Sequence, residues 1–343
     1  MAVDLKSLYI EEIEELLKEM GEPKFRAKQI FSWIHGKKVS SFDEMTNLSK
    51  ALREKLAERM YLSKLEIVDK KVSTDGTAKY LFGFEDGNVI ESVLMRYSYG
   101  NAVCVSTQIG CRMGCTFCAS TLDGLERNLT AGEILSQVYE ISNDIGERIS
   151  SVVLMGSGEP LDNYDNAIRF IKLLNSRDGA DIGQRHITLS TCGLADRIDR
   201  LKAEDLQITL AISLHAPNDE IRNQTMPVSK RFDMETLLFA CRQYAEETKR
   251  RITFEYALIK GVNDSADCAK ELASRLKGML CHVNLIPVND VKERDYVRSS
   301  EEKIKSFADI LQARGIETTV RRKLGSDINA SCGQLRRSHM SKK

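Results

Sequence analysis

Apolar residues recur at helical spacing through the first part of the chain. The segments IEEIEELLKEM and FRAKQIFSWIHGKK both show this pattern, and a Gly-Glu-Pro break separates them. NLSKALREKLAERM continues the pattern, and Asn47 is a plausible N-cap for the helix that it predicts. We therefore expect residues 1–64 to form a small N-terminal helical accessory domain.

The pattern changes from helical to extended between Leu65 and Arg96. TAKYLFGF and NVIESVLMRY are rich in β-branched and aromatic residues, and the turn-forming Glu85, Asp86 and Gly87 stand between them. We expect residues 65–100 to form a β connector between the helical domain and the rest of the chain.

From about residue 100 onward, predicted strands and helices alternate. The strand candidates are AVCVSTQI, SVVLMG, HITLST, ITLAISLH, ITFEYALI, HVNLIPV and IETTVRR. Helices fill the gaps, and Thr130 with Glu133 forms a capping box at the start of the first one. Helices between strands indicate parallel pairing with right-handed crossovers. About six such units predict an α/β fold over residues 101–325, a partial (β/α)6 barrel, because a full eight-unit barrel usually needs about 250 residues.

Polar motifs follow five of these strands, each at the point where the strand ends. CRMGCTFC follows the first strand, GSGEP the second, STCG the third, SLHAP the fourth and IPVN the sixth. The carboxyl ends of parallel strands in such a barrel share one face, which is where sites form. The sequence therefore predicts a single site built from all five motifs.

Composition limits the class of protein. Apolar residues make up 42% of the chain and charged residues 29%, which is enough for a core and suits a soluble protein. No apolar run approaches the roughly 20 residues that cross a bilayer, and the acidic N-terminus is unlike a signal peptide. Nine cysteines without a secretory signal favour metal or redox chemistry in a reducing compartment over a disulfide framework. We expect a cytoplasmic protein without a membrane partner.

Net charge gives no global indication of a nucleic-acid partner, because 50 basic residues balance 50 acidic ones. Two basic patches stand out locally, one in PKFRAKQIFSWIHGKK and one towards the C-terminus, from Arg321 to Lys343. Local patches of this kind can bind phosphates. Scattered solvated charge explains either patch alone about equally well.

Cys111, Cys115 and Cys118 form the most specific motif of the chain. Three thiolates can ligate three irons of a 4Fe–4S cubane and leave the fourth iron open. The alternative is structural zinc, which needs four ligands; Cys104 is the nearby fourth candidate, and spacing alone does not exclude histidines far away in sequence. The spacing resembles that of radical S-adenosylmethionine (SAM) enzymes, in which the open iron binds SAM. A glycine-containing GEP motif after the second strand favours this interpretation over zinc.

By the same resemblance, Gly158 and Glu159 would hold the amino group of SAM. Other residues at the strand ends could bind its carboxylate and ribose. These candidates are Ser190, Ser213, Leu214, His215 and Asn289. Taken alone, GSGEP is also an ordinary Gly-Pro turn, and each of the others is more typical of a loop or a helix cap.

Longer segments make the resemblance much more specific. They include FRAKQIFSWIH, VLMRYSYGNAVCVSTQIGCRMGCTFCAST, AISLHAPND, CHVNLIPVN and ASCGQLR. From about residue 8 to 338 the chain resembles the dual-specificity RNA methyltransferases of the RlmN type. The resemblance implies methylation of C2 of an adenine in the peptidyl-transferase region of 23S rRNA and of an adenine beside the anticodon in some tRNAs. It also implies a 4Fe–4S cluster, two SAM molecules per turnover, an electron-donating protein such as flavodoxin or ferredoxin, and a monomer.

Three further site residues follow only from this resemblance. Cys332, in the C-terminal segment 326–343 with its basic tail, matches the cysteine that is itself methylated. Cys104 matches the thiol that resolves the adduct by forming a disulfide, and Glu91 matches the acidic proton acceptor. The chain departs from the family pattern at Ser157 and Cys192, and Cys192 stands close to the expected SAM contact at Ser190.

Two other functions remain open. Related antibiotic-resistance methyltransferases modify C8 of the same adenine with the same cluster and cysteines, so the chemistry does not separate the two regiochemistries. A non-catalytic RNA-binding protein stabilised by zinc would use the N-terminal helices and the basic tail.

Overall fold

The computed structural model describes residues 3–289 and 295–330. Within them, the α-helices are α1 (Ile10–Glu19), α2 (Arg26–Phe31), α3 (Lys50–Arg59), α4 (Ala131–Ile145), α5 (Tyr164–Leu174), α6 (Ala195–Lys202), α7 (Asp219–Thr225), α8 (Met234–Thr248), α9 (Ala266–Leu276) and α10 (Glu301–Ala313). The strands are β1 (Val3–Asp4), β2 (Met60–Tyr61), β3 (Glu66–Val72), β4 (Ala78–Gly83), β5 (Val89–Tyr97), β6 (Gly100–Cys104), β7 (Gln108–Gly110), β8 (Leu125–Asn128), β9 (Ile149–Leu154), β10 (Ile187–Thr191), β11 (Thr209–Ser213), β12 (Ile252–Leu258), β13 (Cys281–Pro287) and β14 (Thr318–Val320).

A ten-stranded sheet in the order β14-β13-β12-β11-β10-β9-β6-β5-β4-β3 forms the centre of the fold. Within this sheet, seven strands pair in parallel: β6, β9, β10, β11, β12, β13 and β14. Strands β5, β4 and β3 extend the sheet in antiparallel fashion. Each connection between consecutive parallel strands contains at least one α-helix. The predicted α/β partial barrel is therefore confirmed, and in the described part of the chain the sheet ends at β14 and β3 without closing.

The first predicted barrel strand, AVCVSTQI, is divided in two. Its beginning is β6, which pairs with β9, whereas its end is β7, which pairs with β8 in a separate antiparallel ribbon. The division occurs at Ser106, whose backbone N–H donates to the Gln137 side chain of α4 and whose hydroxyl donates to the Glu91 carbonyl. This bend directs the chain after β7 towards the cysteine motif. The short helix α7 was not predicted from the sequence.

The N-terminal helices form where the sequence predicts them, but the predicted cap at Asn47 is wrong. Ser49 is the N-cap of α3, and its side chain accepts from the backbone N–H of Leu52. The Asn47 side chain instead accepts from the indole N–H of Trp33. A second difference is a two-residue parallel pairing of β1 with β2, which joins the two ends of the helical region.

The N-terminal region is fixed to helix α4 by buried polar contacts. The Lys6 ammonium is 1% exposed and donates to the Ser63 carbonyl and the Ser136 hydroxyl, 2.9 Å away. Burial lowers the pKa of Lys6. At Gly132, a Cβ atom would lie 2.1 Å from a carboxylate oxygen of Asp4, so this close approach requires glycine. The same hydrophobic core runs from the N-terminal helices into the parallel strands, and the boundaries predicted after residues 64, 100 and 325 stay predictions.

Candidate active site

A cavity lies at the carboxyl ends of the parallel strands. It encloses about 1000 Å³ of empty space, part of it open to solvent. We call it the first cavity. The residues predicted to form the site that line it are Cys111, Cys115, Cys118, Gly158, Glu159, Ser190, Ser213, His215 and Asn289. The topology thus brings all five strand-end motifs to one place, as expected for a parallel α/β barrel.

The cysteine loop, residues 111–118, presents three free thiols to the first cavity. Cys111 and Cys115 are buried and Cys118 is half-buried. Burial raises the pKa of Cys111 to about 12 and that of Cys115 well above its ordinary value, and the neighbouring thiols raise both further. Metal ligation needs these groups as thiolates. A positively charged centre that binds all three at once is therefore what the donor set fits.

Three thiols that line one cavity match the ligand set of a cluster with several irons. Structural zinc would need a fourth ligand in tetrahedral geometry. Among residues 3–289 and 295–330, no group of three or more His, Cys, Asp or Glu side chains is arranged to hold a single metal ion.

Glu159 is held rigidly at the wall of the first cavity. Its two carboxylate oxygens accept from the backbone N–H groups of Leu161, at 3.0 Å, and Cys192, at 2.7 Å. Burial raises its pKa, while these hydrogen bonds oppose the rise. Gly158 has φ of +104°, and a Cβ atom there would lie 2.6 Å from the Gln108 side chain, so only glycine fits. The carboxylate keeps further lone pairs for a ligand with N–H donors.

His215 joins the cysteine loop to the neighbouring strands. Its ring packs edge-on against Phe117 of the loop, with centroids 4.9 Å apart. Its Nδ1 accepts from the backbone N–H of Ala257 at 2.9 Å, so in the neutral ring the proton is on Nε2. Burial lowers the pKa of His215 to about 3. The residue therefore offers a neutral ring with one N–H donor.

Leu214 is the one predicted cofactor contact that is described but does not line the first cavity. Its side chain is fully buried. Its backbone N–H donates to the Glu255 carbonyl, and its carbonyl accepts from Arg222. Glu255 lines the cavity although the sequence analysis missed it, and burial raises its pKa. An acidic residue inside the apolar strand ITFEYALI was the signal that could have identified it.

A second cavity adjoins the first and contains the predicted resolving cysteine. It encloses about 1220 Å³, including solvent-open space, and shares Met155, Asn289 and Arg321 with the first cavity. Cys104 lines it, 7% exposed, in an apolar cluster with Ala330. Cys332 lies outside the described residues, which end at Ala330.

Four basic side chains are among those that line the second cavity. Arg298, Arg321, Arg322 and Lys323 line it, with Glu301 as the acidic residue among them. Such a concentration of positive charge beside a cavity is typical of a site for phosphate groups. The basic patch predicted towards the C-terminus therefore begins at the wall of this cavity.

Glu91 lines neither cavity. It lies on strand β5, on the same face as Val93 and Met95, and these two residues line the second cavity. Its side chain is 4% exposed and lies 3.0 Å from the Lys79 ammonium. The same ammonium donates to the Asn329 carbonyl at 3.2 Å. Lys79 thus connects Glu91 to the segment that precedes the undescribed C-terminus.

Comparison with known families and proteins gives two family matches. Residues 3–62 match the ribosomal RNA large subunit methyltransferase N-terminal domain, and residues 105–273 match the radical SAM superfamily. The second match contains the cysteine loop and the GSGEP motif. It supports an iron–sulfur cluster over the zinc alternative. A search of the helices in the described residues finds none with the length and apolar character of a membrane span.

Whole-chain relatives agree with both matches. A probable dual-specificity RNA methyltransferase RlmN of Alkaliphilus oremlandii is 60% identical over 339 residues, which cover 98% of each chain. The corresponding protein of Clostridium novyi is 59% identical over 96% of this chain and 97% of its own. A crystal structure of a radical SAM methyltransferase from Sphaerobacter thermophilus has a TM-score of 0.94 at 47% identity, covering 97% of this chain and 99% of that one.

The burial of His215 predicts a pH dependence of stability. Its pKa of about 3 in the folded state lies below the ordinary value of 6.5. Below pH 6.5 the unfolded chain binds a proton on this imidazole that the folded chain does not bind. The free energy of unfolding is therefore highest above pH 6.5, as far as His215 is concerned, and decreases as the pH falls towards 3. His215→Gln in the iron-free protein should reduce the slope of stability against pH in this window by up to about 1.4 kcal/mol per pH unit, measured by urea unfolding.

The exposed His186 supplies the control for this measurement. His186→Gln makes the same substitution at an exposed position, so the effect of His215→Gln on the slope is judged by comparison with this variant. His35, whose pKa burial also lowers to about 3, is present in all three proteins and cancels in the differences. Equal slopes for His215→Gln and the unmodified protein would contradict the assignment.

Proposed function

Because the chain belongs to the RlmN family of radical SAM RNA methyltransferases, we propose that it methylates C2 of an adenine in the peptidyl-transferase region of 23S rRNA. We extend the proposal to an adenine beside the anticodon in some tRNAs. The observation that carries it is the position of Cys104 in a basic cavity that opens beside the cavity of the three cysteines. This arrangement supports the proposal, because a thiol and several basic side chains lie next to the cavity in which the radical would form.

The first cavity would hold both cofactors. Cys111, Cys115 and Cys118 would ligate the 4Fe–4S cluster, and Gly158 with Glu159 would bind the amino group of SAM. The remaining contacts to SAM would come from Ser190, Ser213, His215 and Asn289, with Leu214 limited to its backbone. When bound, the two cofactors supply a 5′-deoxyadenosyl radical by one-electron cleavage of the sulfonium bond.

The target carbon explains the need for a radical. C2 of adenine lies between two ring nitrogens and is electron-poor, and the methyl group of SAM is electrophilic too. Direct transfer between them is therefore unfavourable. We propose that Cys332 first accepts a methyl group from one SAM as a thiolate nucleophile, and that a second SAM is used to activate this methyl group.

Cys104 and Glu91 would complete the reaction. Glu91 accepts the C2 proton, for which it must be ionised, and the Lys79 ammonium at 3.0 Å is the charge that would stabilise its carboxylate. The Cys104 thiolate would then attack the Cys332 sulfur and form a disulfide, while the bond from that sulfur to the transferred carbon breaks. The carbon takes up a proton to become the methyl group of the released base. Thiol exchange then reduces this disulfide before the next turnover.

Residues 325–330 support the proposed partnership of Cys104 with Cys332. The Ser73 hydroxyl donates to the Asp327 carboxylate at 2.6 Å, and the backbone N–H of Gly325 donates to the Asp75 carboxylate at 2.9 Å. The turn between β3 and β4 thus anchors this segment on the antiparallel edge of the sheet. Ala330, at its end, packs in the same cluster as Cys104. Cys332 follows two residues later in the sequence.

The partners and location are part of the same proposal. Arg298, Arg321, Arg322 and Lys323 would bind phosphates of the RNA around the target nucleotide. A flavodoxin or ferredoxin would supply electrons to the cluster. We propose a monomer in the cytoplasm, because a reducing compartment returns the two thiols to their reduced form after each turnover.

Anaerobic assay of the reconstituted protein tests the function. Protein-free 23S rRNA and tRNA would be incubated with methyl-labelled SAM and a reductant, digested to nucleosides and mapped by mass spectrometry. The expected product is 2-methyladenosine. Formation of 8-methyladenosine would instead establish the C8 activity, and absence of any methylated adenosine would refute the proposal. Cys332→Ala should retain iron and bind SAM but yield no product.

Cys104→Ala should stop the reaction after the carbon bond to RNA has formed. Without the resolving thiol, Cys332 stays joined to the RNA through the transferred carbon, so a covalent protein–RNA species accumulates. It appears as a slowly migrating band on a denaturing gel. Cys268→Ala is the matched control, because this thiol lies on α9 and lines neither cavity. Normal yields of free product from Cys104→Ala would exclude resolution by Cys104.

Asp327→Ala should slow methylation of Cys332 severalfold, because it removes the hydrogen bonds that the Ser73 hydroxyl and the Thr74 backbone N–H donate to this carboxylate and so frees the segment from the β3–β4 turn. Mass spectrometry of the C-terminal peptide after single-turnover incubation with SAM measures methyl-Cys332 directly. The control Asp309→Ala removes an exposed carboxylate that pairs with Lys305 on α10. Identical rates for the two variants would show that this anchor does not position Cys332.

A further inference from the structure

A buried arginine lies behind the cysteine loop. Arg222, on α7, is 0% exposed. Its Nη2 donates to the Cys192 carbonyl at 2.6 Å and its Nε to the Leu214 carbonyl at 3.3 Å. Its Nη1 has no hydrogen-bond partner among the described residues.

This guanidinium forms no ion pair with a described residue. No carboxylate in the described part of the chain lies within 4.0 Å of it, and Asp219 of the same helix acts on it only from a longer distance. Burying a charge costs several kcal/mol when no opposite charge compensates it. A buried cation without an ion pair therefore indicates that an anionic group belongs nearby.

Helix α7 is bonded directly to the cysteine loop. The backbone N–H of Thr116, which follows Cys115, donates to the Thr225 carbonyl at the end of α7, at 2.9 Å. Beyond α7, the Pro227 ring would lie 3.4 Å from a Cβ atom placed on Gly114. These contacts hold the helix that carries Arg222 against the loop that carries the three thiols.

The guanidinium of Arg222 lies against the wall of the first cavity. Its Nη2 donates to the carbonyl of Cys192, and Cys192 lines this cavity together with the three thiols of the cysteine loop. Arg222 thus brings a fixed positive charge to the cavity that the three thiols share.

We propose that Arg222 is the buried counter-charge of the iron–sulfur cluster and raises its reduction potential. Three thiolates make the ligated cluster negative, and reduction adds one more negative charge. A nearby fixed cation stabilises the reduced state more than the oxidised one, because net charge is among the factors that set the potential of such clusters. The proposal rests on the cluster that family membership implies and is independent of the route of methyl transfer.

Arg222→Gln tests the proposal, because glutamine keeps a donor for the two carbonyls and removes the charge. Redox titration of the reconstituted protein, followed by electron paramagnetic resonance without RNA, measures the midpoint potential of the cluster. We expect the midpoint potential of Arg222→Gln to be lower by about 59 mV, which corresponds to a tenfold weaker preference for the reduced state in a one-electron couple. Arg222→Lys keeps the charge. Its preference for the reduced state should stay within about threefold of the unmodified protein, so its midpoint potential should change by no more than roughly half of that shift.

Arg112→Gln is the matched control, since Arg112 adjoins Cys111 in sequence but is exposed and paired with Asp162. The midpoint potential of the cluster should change much less in Arg112→Gln than in Arg222→Gln, because solvent and the paired carboxylate screen the charge of Arg112. A potential for Arg222→Gln equal to that of the unmodified protein would overturn the proposal. If Arg222→Gln does not fold, Arg222→Lys decides: a tenfold loss with the charge retained would mean that hydrogen bonding, not charge, sets the potential.

Thermal unfolding separates the proposed role from a purely structural one. If Arg222 compensates the cluster, Arg222→Gln should lower the unfolding midpoint of the reconstituted protein more than that of the iron-free protein, in which the charge has no partner. A residue that only ties Leu214 to Cys192 would lower both midpoints equally. Equal losses would therefore refute the counter-charge role.

Discussion

Cys111, Cys115 and Cys118 face one cavity from a single short loop, where burial and the neighbouring thiols disfavour the ionised forms of Cys111 and Cys115. A positively charged group that takes the three as thiolates would relieve this conflict, and an iron–sulfur core is such a group. Contacts with the surrounding fold keep the loop in place. Helix α7 holds the loop through Thr225, and the Phe117 ring packs on His215.

The parallel sheet supplies the other walls of the site. Since every parallel strand ends on the same side, residues far apart in sequence, such as Glu159, Ser213 and Asn289, converge on one cavity. Backbone donors fix the carboxylate of Glu159 before any ligand arrives. A site whose polar groups are oriented in advance loses less freedom on binding, which favours affinity for the cofactor.

The antiparallel strands give this barrel its second cavity. Strands β3, β4 and β5 extend the sheet beyond β6, so Cys104 lies between the parallel barrel and the added strands. The β3–β4 turn anchors residues 325–330, and Lys79 of β4 contacts both Glu91 and Asn329. A basic wall with Arg321 shared by both cavities connects the two compartments. The extension thus forms a second compartment beside the first cavity, and this is where we propose that the RNA binds.

The sequence by itself determined the alternation of strands and helices, the capping box of Thr130 with Glu133 and the family, because periodicity and motif spacing are local properties of the chain. It misplaced the α3 cap, since Asn47 and Ser49 are both good capping residues and only the contact of Asn47 with Trp33 separates them. Three other features depend on which distant segments pack together. They are the burial of Arg222, the position of Glu255 in the wall of the first cavity and the contact of Lys79 with Glu91. Burial and long-range pairing arise only when the sheet assembles, so the tertiary structure alone decided them.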